Sequence, residues 1–222
     1  MLSINTIVVP QGAEYQSVCR GLSKARVNDV EIIAIPIGVK FVDRLLADYK
    51  NKLQNSEGVL IIGLGGSLID AYSAGDSVIV NACQDLNGKI VELDPKLTTK
   101  IQQKLGIASV AGLTSDRVIT QASEKLTLAR THQASIVEME GFGYATQLQQ
   151  RGIPVAMLRV ISDDVHHNLP NLNRAIDSQG NLKTLPMAIA LIKQPIAAIN
   201  LIKGSLAGLK ALKQITTNLF SV

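Results

Sequence analysis

The chain has 222 residues and a formal net charge of +4, with 46% hydrophobic but only 3% aromatic residues and no tryptophan. That length suits one α/β domain able to bury an aliphatic core unaided, and the shortage of aromatic rings argues against nucleic-acid binding by base stacking. Cys19, Cys83 and the three histidines fall in no metal-ligand spacing, so no metal site is expected, and a reduced cytoplasmic protein with structural thiols is.

The charge is unevenly placed. Asp177 is the last acid, and Lys183, Lys193, Lys203, Lys210 and Lys213 lie beyond it. Removing those five from 22 basic residues leaves 17 against 18 acids, so residues 1–177 carry about −1. The basic excess belongs to the C-terminal tail. No run of 18 apolar residues is present, so no bilayer span is expected.

In chain order, Ile4–Val9 reads as a β-rich run closed by Pro10, and Gly12–Leu22 as a helix. Val30–Ile37 follows as a buried strand and Val42–Gln54 as a helix. Gly58–Ile62 reads as a central strand entering a glycine turn at Gly63–Leu68, and Ser77–Ala82 as a further strand. Leu93–Leu105 and Ser123–Thr131 are expected to be helices, with Ala108–Gly112 and Arg117–Ile119 as short strands or extended segments between them. Gly141–Arg151 reads as a helix between the apolar runs Ser135–Val137 and Ile153–Ser162. Lys183–Gln194 and Ile196–Asn218 close the chain as apolar-rich helices broken at Pro195. The alternation predicts one domain, a three-layer α/β/α sandwich around a central mixed sheet.

The residues with chemistry gather around Val137–Asp164. Glu138 and Glu140 end one apolar run, and Asp163 and Asp164 end the next, so acids from two strand ends can share a crevice. Ser135-x-x-Glu138 also fits a capping box, which would make Glu138 a helix-start residue. Glu140 sits among apolar neighbours before Gly141, where a carboxylate needs donors such as paired sugar hydroxyls. Asp163 reads either as a turn or cap residue or as a general acid walled by apolar side chains, and Asp164 competes for the same role. Glu14 is a third acid near a strand end, open to a first-turn helix role. Gly63–Leu68 matches neither a dinucleotide fingerprint nor a Walker loop, leaving a tight turn or a close backbone approach to a ligand.

Val137-Glu138-Met139-Glu140-Gly141, taken with Arg159-Val160-Ile161-Ser162-Asp163, resembles the purine nucleoside phosphorylase and nucleosidase superfamily, and more narrowly its methylthioadenosine/S-adenosylhomocysteine nucleosidase branch. Gly38-Val39-Lys40, Gly63–Leu68 and Gly75-Asp76 resemble that family's glycine turns. The resemblance implies a homodimeric enzyme that cleaves the N-glycosidic bond of an adenine-type nucleoside, without a cofactor. Glu140 would bind the ribose hydroxyls, with Met139 packed on the sugar. Asp163 would protonate the leaving base, which Ser162 would help orient. Glu14 would activate water, Val118 and Ile119 would flank the base, and Gly65 and Gly66 would lie beside the substrate. Water and phosphate both stay open as nucleophile, and a non-catalytic nucleoside-binding protein on the same fold is the alternative.

Asn168-Leu169-Pro170, Leu185-Pro186 and the basic helices at about 183–218 look most like the hopanoid-associated phosphorylase group. That likeness implies a hydrophobic nucleoside such as adenosylhopane. Ile196, Ile199, Ile202, Leu206, Leu209 and Leu212 recur at helical spacing, edged by Lys203, Lys210 and Lys213. Such a tail either covers the sheet or approaches an anionic membrane surface, making the protein peripheral there.

Overall fold

The computed structural model describes residues 3–38, 42, 47–54, 56–173 and 183–221. Along them run β1 (Thr6–Pro10), α1 (Ala13–Ala25), β2 (Glu31–Ile35), α2 (Lys50–Gln54), β3 (Val59–Ser67), β4 (Ser77–Asp85), β5 (Ile90–Glu92) and α3 (Pro95–Leu105). They continue with β6 (Ala108–Thr114), α4 (Ala122–His132), β7 (Ile136–Glu138), α5 (Gly141–Gln149), β8 (Val155–Asp163), α6 (Thr184–Lys193) and α7 (Pro195–Phe220). The expected helix over Val42–Gln54 is described only in part, and Val39 and Lys40 lie outside the described residues.

The strands form one mixed sheet. β1 runs parallel to β2 and β3, β3 parallel to β8, and β8 antiparallel to β4. β4 pairs in parallel with β6 and antiparallel with the short β5. The expected α/β/α layering holds, but half of the sheet closes on itself. β7 bridges β6 and β3, so β3, β8, β4, β6 and β7 make a ring. Along β1, Ile7 and Val9 join a different apolar cluster from Val8, and all three are buried. Both faces are therefore covered, which is why the strands read as continuous apolar runs rather than alternating ones. α1, α3 and α7 pack on the Ile7 side, while α5 contributes Tyr144, Ala145 and Leu148 to the other.

Two expectations change. Gly63-Leu64-Gly65-Gly66 is not a turn but the second half of β3, paired with β8 and with a register shift between Gly65 and Gly66. Of the short strand or extended segment expected at Arg117–Ile119, no strand ladder forms, and the segment is a loop tied through Val118 to Asn173. The break at Pro195 does appear, as a bend of 119° between α6 and α7. No single helix among the described residues is long and apolar enough to cross a membrane.

Candidate active site

Gly66 is the residue on which the two acidic segments converge. Its register partners are Val137 on β7 and Asp163 on β8, so the ends of both strands flank one point of β3. α1 delivers Glu14 to the same place from its first turn. Rather than staying at the helix end, the Glu14 side chain reaches across to accept a 2.6 Å hydrogen bond from the Leu64 N–H.

The glycines of β3 make room for these side chains. A Cβ on Gly63 would lie 2.6 Å from both Glu14 Oε2 and Arg159 Nη1, and one on Gly66 would lie 2.6 Å from Asp163 Oδ2. Glycine is therefore needed here for the charged groups packed against the strand, a reason different from both the turn and the close ligand approach.

A cavity of about 220 Å³ opens at this point. Glu14, Met139, Glu140, Ser162, Asp163, Val118, Ile119, Gly65 and Gly66 all line it, so every site residue expected from the sequence meets in one place. Glu138 lines it too, and Ile37, Leu169, Leu172 and Leu201 give it an apolar wall.

Arg159 organises the acids, and sequence reasoning had named it only as part of a motif. Its side chain is fully buried on β8 and ion-paired through Nη2 with Glu138, with Glu140 Oε2 3.7 Å away. Nε and Nη1 have no hydrogen-bond partner among the described residues. Burial works against the Arg159 charge, but Glu138, Glu140 and Glu14 more than offset it and hold the guanidinium protonated. A signal was available: an arginine inside an otherwise apolar strand must find a charge partner.

Glu138 is the structural member of the group. One of its oxygens accepts from the N–H groups of Glu140 (3.0 Å) and Gly141 (2.7 Å) at the start of α5, and the other from the Thr114 hydroxyl. It thus caps a helix start, although through its own residue spacing and not the expected Ser135 box. Glu140 accepts a 3.1 Å hydrogen bond from the Gly38 N–H. Burial, and then the neighbouring Glu138, push the Glu140 carboxyl up from its ordinary range against the pull of Arg159. Burial likewise pushes Glu14 up to about 7, with the Leu64 N–H and Arg159 pulling the other way. A carboxyl with that acidity can exchange a proton near neutral pH.

Asp163 sits on the opposite side of Gly66 in a polar setting, not between apolar walls. Lys125 of α4, itself fully buried, ion-pairs with Asp163 Oδ2 and donates to the Asp164 carbonyl, while the Ser162 hydroxyl donates to Asp163 Oδ1 at 2.7 Å. Lys125 looked like an ordinary helix lysine in the sequence, and nothing in its local pattern separated it from its neighbours. Asp164 turns away to accept from the N–H groups of His166 and His167 at 2.9 and 3.0 Å, which leaves Asp163 as the acid facing the cavity. The backbone of Val118 is already engaged: its N–H donates to Asn173 Oδ1 at 2.9 Å, and its carbonyl accepts from Asn173 Nδ2 at 3.1 Å. Val118 therefore offers the cavity its apolar side chain only.

Comparisons with known proteins place the chain in a family and match its fold. The family model described as the phosphorylase superfamily matches residues 36–184. Futalosine hydrolase of Thermus thermophilus is 30% identical over 129 residues, 48% of this chain. The match spans 57% of that curated relative's length. Among solved structures, a Helicobacter pylori 5′-methylthioadenosine nucleosidase mutant with 5′-methylthioadenosine in its active site superposes with a TM-score of 0.65 at 18% identity, over 97% of this chain and 98% of that one. The apo Arabidopsis thaliana 5′-methylthioadenosine nucleosidase gives 0.67 at 14% identity, covering 97% and 94%. Native futalosine hydrolase of Helicobacter pylori gives 0.64 at 16% identity, covering 95% of each chain.

Proposed function

This chain belongs to the phosphorylase superfamily, and from that membership we propose that it is an enzyme that cleaves the N-glycosidic bond of a purine nucleoside with water as the nucleophile. The observation that carries the reading is the juxtaposition of Glu14 with Nη1 of Arg159, which has no hydrogen-bond partner among the described residues; these are the two groups nearest the missing Gly63 side chain. A water placed between them would donate to Glu14 and accept from Arg159. That polarity suits a nucleophile about to lose a proton.

The remaining groups take complementary roles. Glu140 accepts hydrogen bonds from the ribose hydroxyls, and Met139 packs on the sugar. As the bond to the base breaks, positive charge builds on the ribose, and the surrounding carboxylates stabilise it electrostatically. Asp163, oriented by Ser162 and Lys125, takes up a proton and delivers it to the departing base. Water adds to the anomeric carbon and its proton passes to Glu14, so a neutral base and a free sugar leave.

Water is favoured over phosphate by the charge inventory. Arg159, behind the cavity wall, is committed to Glu138, Lys125 to Asp163, and Arg117, which lines the cavity itself, to Glu124. Among the described residues, a phosphate dianion would meet Glu14 and Glu140 with only the spare N–H groups of Arg159 to receive it. The similar proteins, a futalosine hydrolase and methylthioadenosine nucleosidases, point the same way. The apolar wall of Ile37, Leu169, Leu172 and Leu201 supports an adenine-type nucleoside with an apolar 5′ substituent, a description that includes adenosylhopane.

Chromatographic detection of free base from 5′-methylthioadenosine, futalosine and adenosine in phosphate-free buffer tests this. Base release is expected from one or more of them, with Asp163→Asn lowering turnover by about 10²–10⁴-fold while the melting curve stays cooperative. No base from any nucleoside, or unchanged turnover by the folded variant, would overturn the assignment.

A further inference from the structure

Over its first half, α7 buries the face opposite to the one its sequence pattern suggests. α7 lies on β8 through small residues: a Cβ on Gly204 would overlap the Ser162 carbonyl, and one on Gly208 would lie 3.2 Å from the Ile161 carbonyl. Ala198 and Leu212 continue that buried stripe. Of the apolar set recurring along this helix, Leu212 is buried, whereas Ile196, Ile199, Ile202 and Leu206 are exposed, Ile196 by 78%.

α6 repeats the arrangement. Leu185, Ile189 and Ile192 fall at spacings of four and three on one side of the helix, and all three are exposed. Seven of the ten exposed large hydrophobic side chains of the described chain thus lie within these two consecutive helices. A soluble surface rarely concentrates them this way without an occupant. The charged side chains of these two helices are of one sign. Lys183, Lys193 and Lys203 are exposed beside the patch, Lys210 and Lys213 continue along α7, and no acid follows Asp177 in the sequence.

We propose that the exposed apolar and cationic face of α6 and α7 docks on an anionic lipid bilayer. Side chains of Ile and Leu size would enter the acyl boundary while the lysines meet lipid headgroups. The bend of 119° at Pro195 suits helices lying on a surface, and neither helix alone can span one. A second copy of the chain fits less well, because a two-fold contact through this face would bring lysines against lysines with no acid of the helices to pair them. The face also adjoins the site: Leu201, next to Ile202 on α7, lines the acidic cavity. Docking would place the cavity beside the bilayer, where a nucleoside carrying a lipid-like substituent would reside. The docking stands independently of the catalytic reading, and only that last consequence rests on it.

Co-sedimentation of the full chain with phosphatidylcholine vesicles and with vesicles containing phosphatidylglycerol tests the proposal. Sedimentation with the anionic vesicles is expected, weakened by high salt. Both Ile196→Ser/Ile199→Ser/Ile202→Ser and Lys193→Ala/Lys203→Ala should lower the bound fraction about tenfold or more. Because these side chains face solvent, both variants should keep the wild-type melting curve and the wild-type activity on a soluble nucleoside. Failure to sediment with anionic vesicles, or undiminished binding by both variants, overturns it. So does a dimer in solution that the isoleucine variant dissociates while no vesicle binding is seen. Base release from soluble nucleosides is scored separately, so docking can fail without affecting the assigned reaction.

Discussion

Glu14 is the residue on which the choice of chemistry turns. The residue is partly exposed, but its carboxyl is buried, anchored by the Leu64 N–H, and pushed up to about 7 chiefly by that burial. As a base it must be ionised, so kcat/KM should rise with pH and level off above about 7. Glu14→Gln should remove that limb and lower turnover by about 10²–10³-fold. The same group leaves a mark on stability. Because the folded state holds the proton more tightly than the unfolded chain, Glu14 stabilises at low pH. That contribution, about 3 kcal/mol at most, is lost as pH rises from about 4.5 to about 7. Unfolding titrations of wild type and the glutamine variant across that window should diverge accordingly, and parallel curves with an unchanged rate profile would remove Glu14 as the base. Legibility at this scale was uneven. Glu140 and Asp163 could be read because each ends an apolar run where a carboxylate is out of place. Arg159 and Lys125 could not be assigned, since the partners that give them meaning come from β7 and β8, distant in the chain.

At the scale of elements, β3 does the positioning. Its second half lies between Arg159 and Asp163 of β8 on one side and Val137 of β7 on the other, and its glycines leave the volume that the charged side chains fill. Gly63→Ala should therefore displace Glu14 or Arg159 while barely disturbing the apolar core. We expect a stability loss of about 1–3 kcal/mol with a disproportionate fall in kcat. Calorimetry and steady-state kinetics on this variant check both, and full activity would show that the spacing between Glu14 and Arg159 is not critical. The glycine run was misread as a turn because glycine punctuation usually marks one, whereas here the constraint is tertiary. β7 escaped full description for a related reason. Three residues carry no periodicity, so its closing of the sheet against β3 is visible only in three dimensions.

On the scale of the whole molecule, the layering followed from the sequence because strands buried on both faces and amphipathic helices leave characteristic apolar patterns. The closed half of the sheet gathers Glu14 from α1, Glu138 and Glu140 from β7 and its exit, and Arg159 and Asp163 from β8. Four carboxylates line the cavity, and among the described residues its one lining cation, Arg117, is paired with Glu124, which suits a sugar that becomes positively charged better than a phosphate dianion. The outer face of α6 and α7 is a second large-scale feature, and on α7 its apolar and cationic side chains turn outward because Gly204 and Gly208 occupy the contact with β8.

Hydrolytic cleavage with the attacking water held by Glu14 and Arg159 is the central claim, and mass spectrometry of the sugar released in ¹⁸O-labelled water, with phosphate present, tests it most directly. The expected result is one labelled oxygen at the anomeric carbon of the free sugar, formed at a rate indifferent to phosphate. A sugar 1-phosphate in its place, or a free sugar without label, would contradict it.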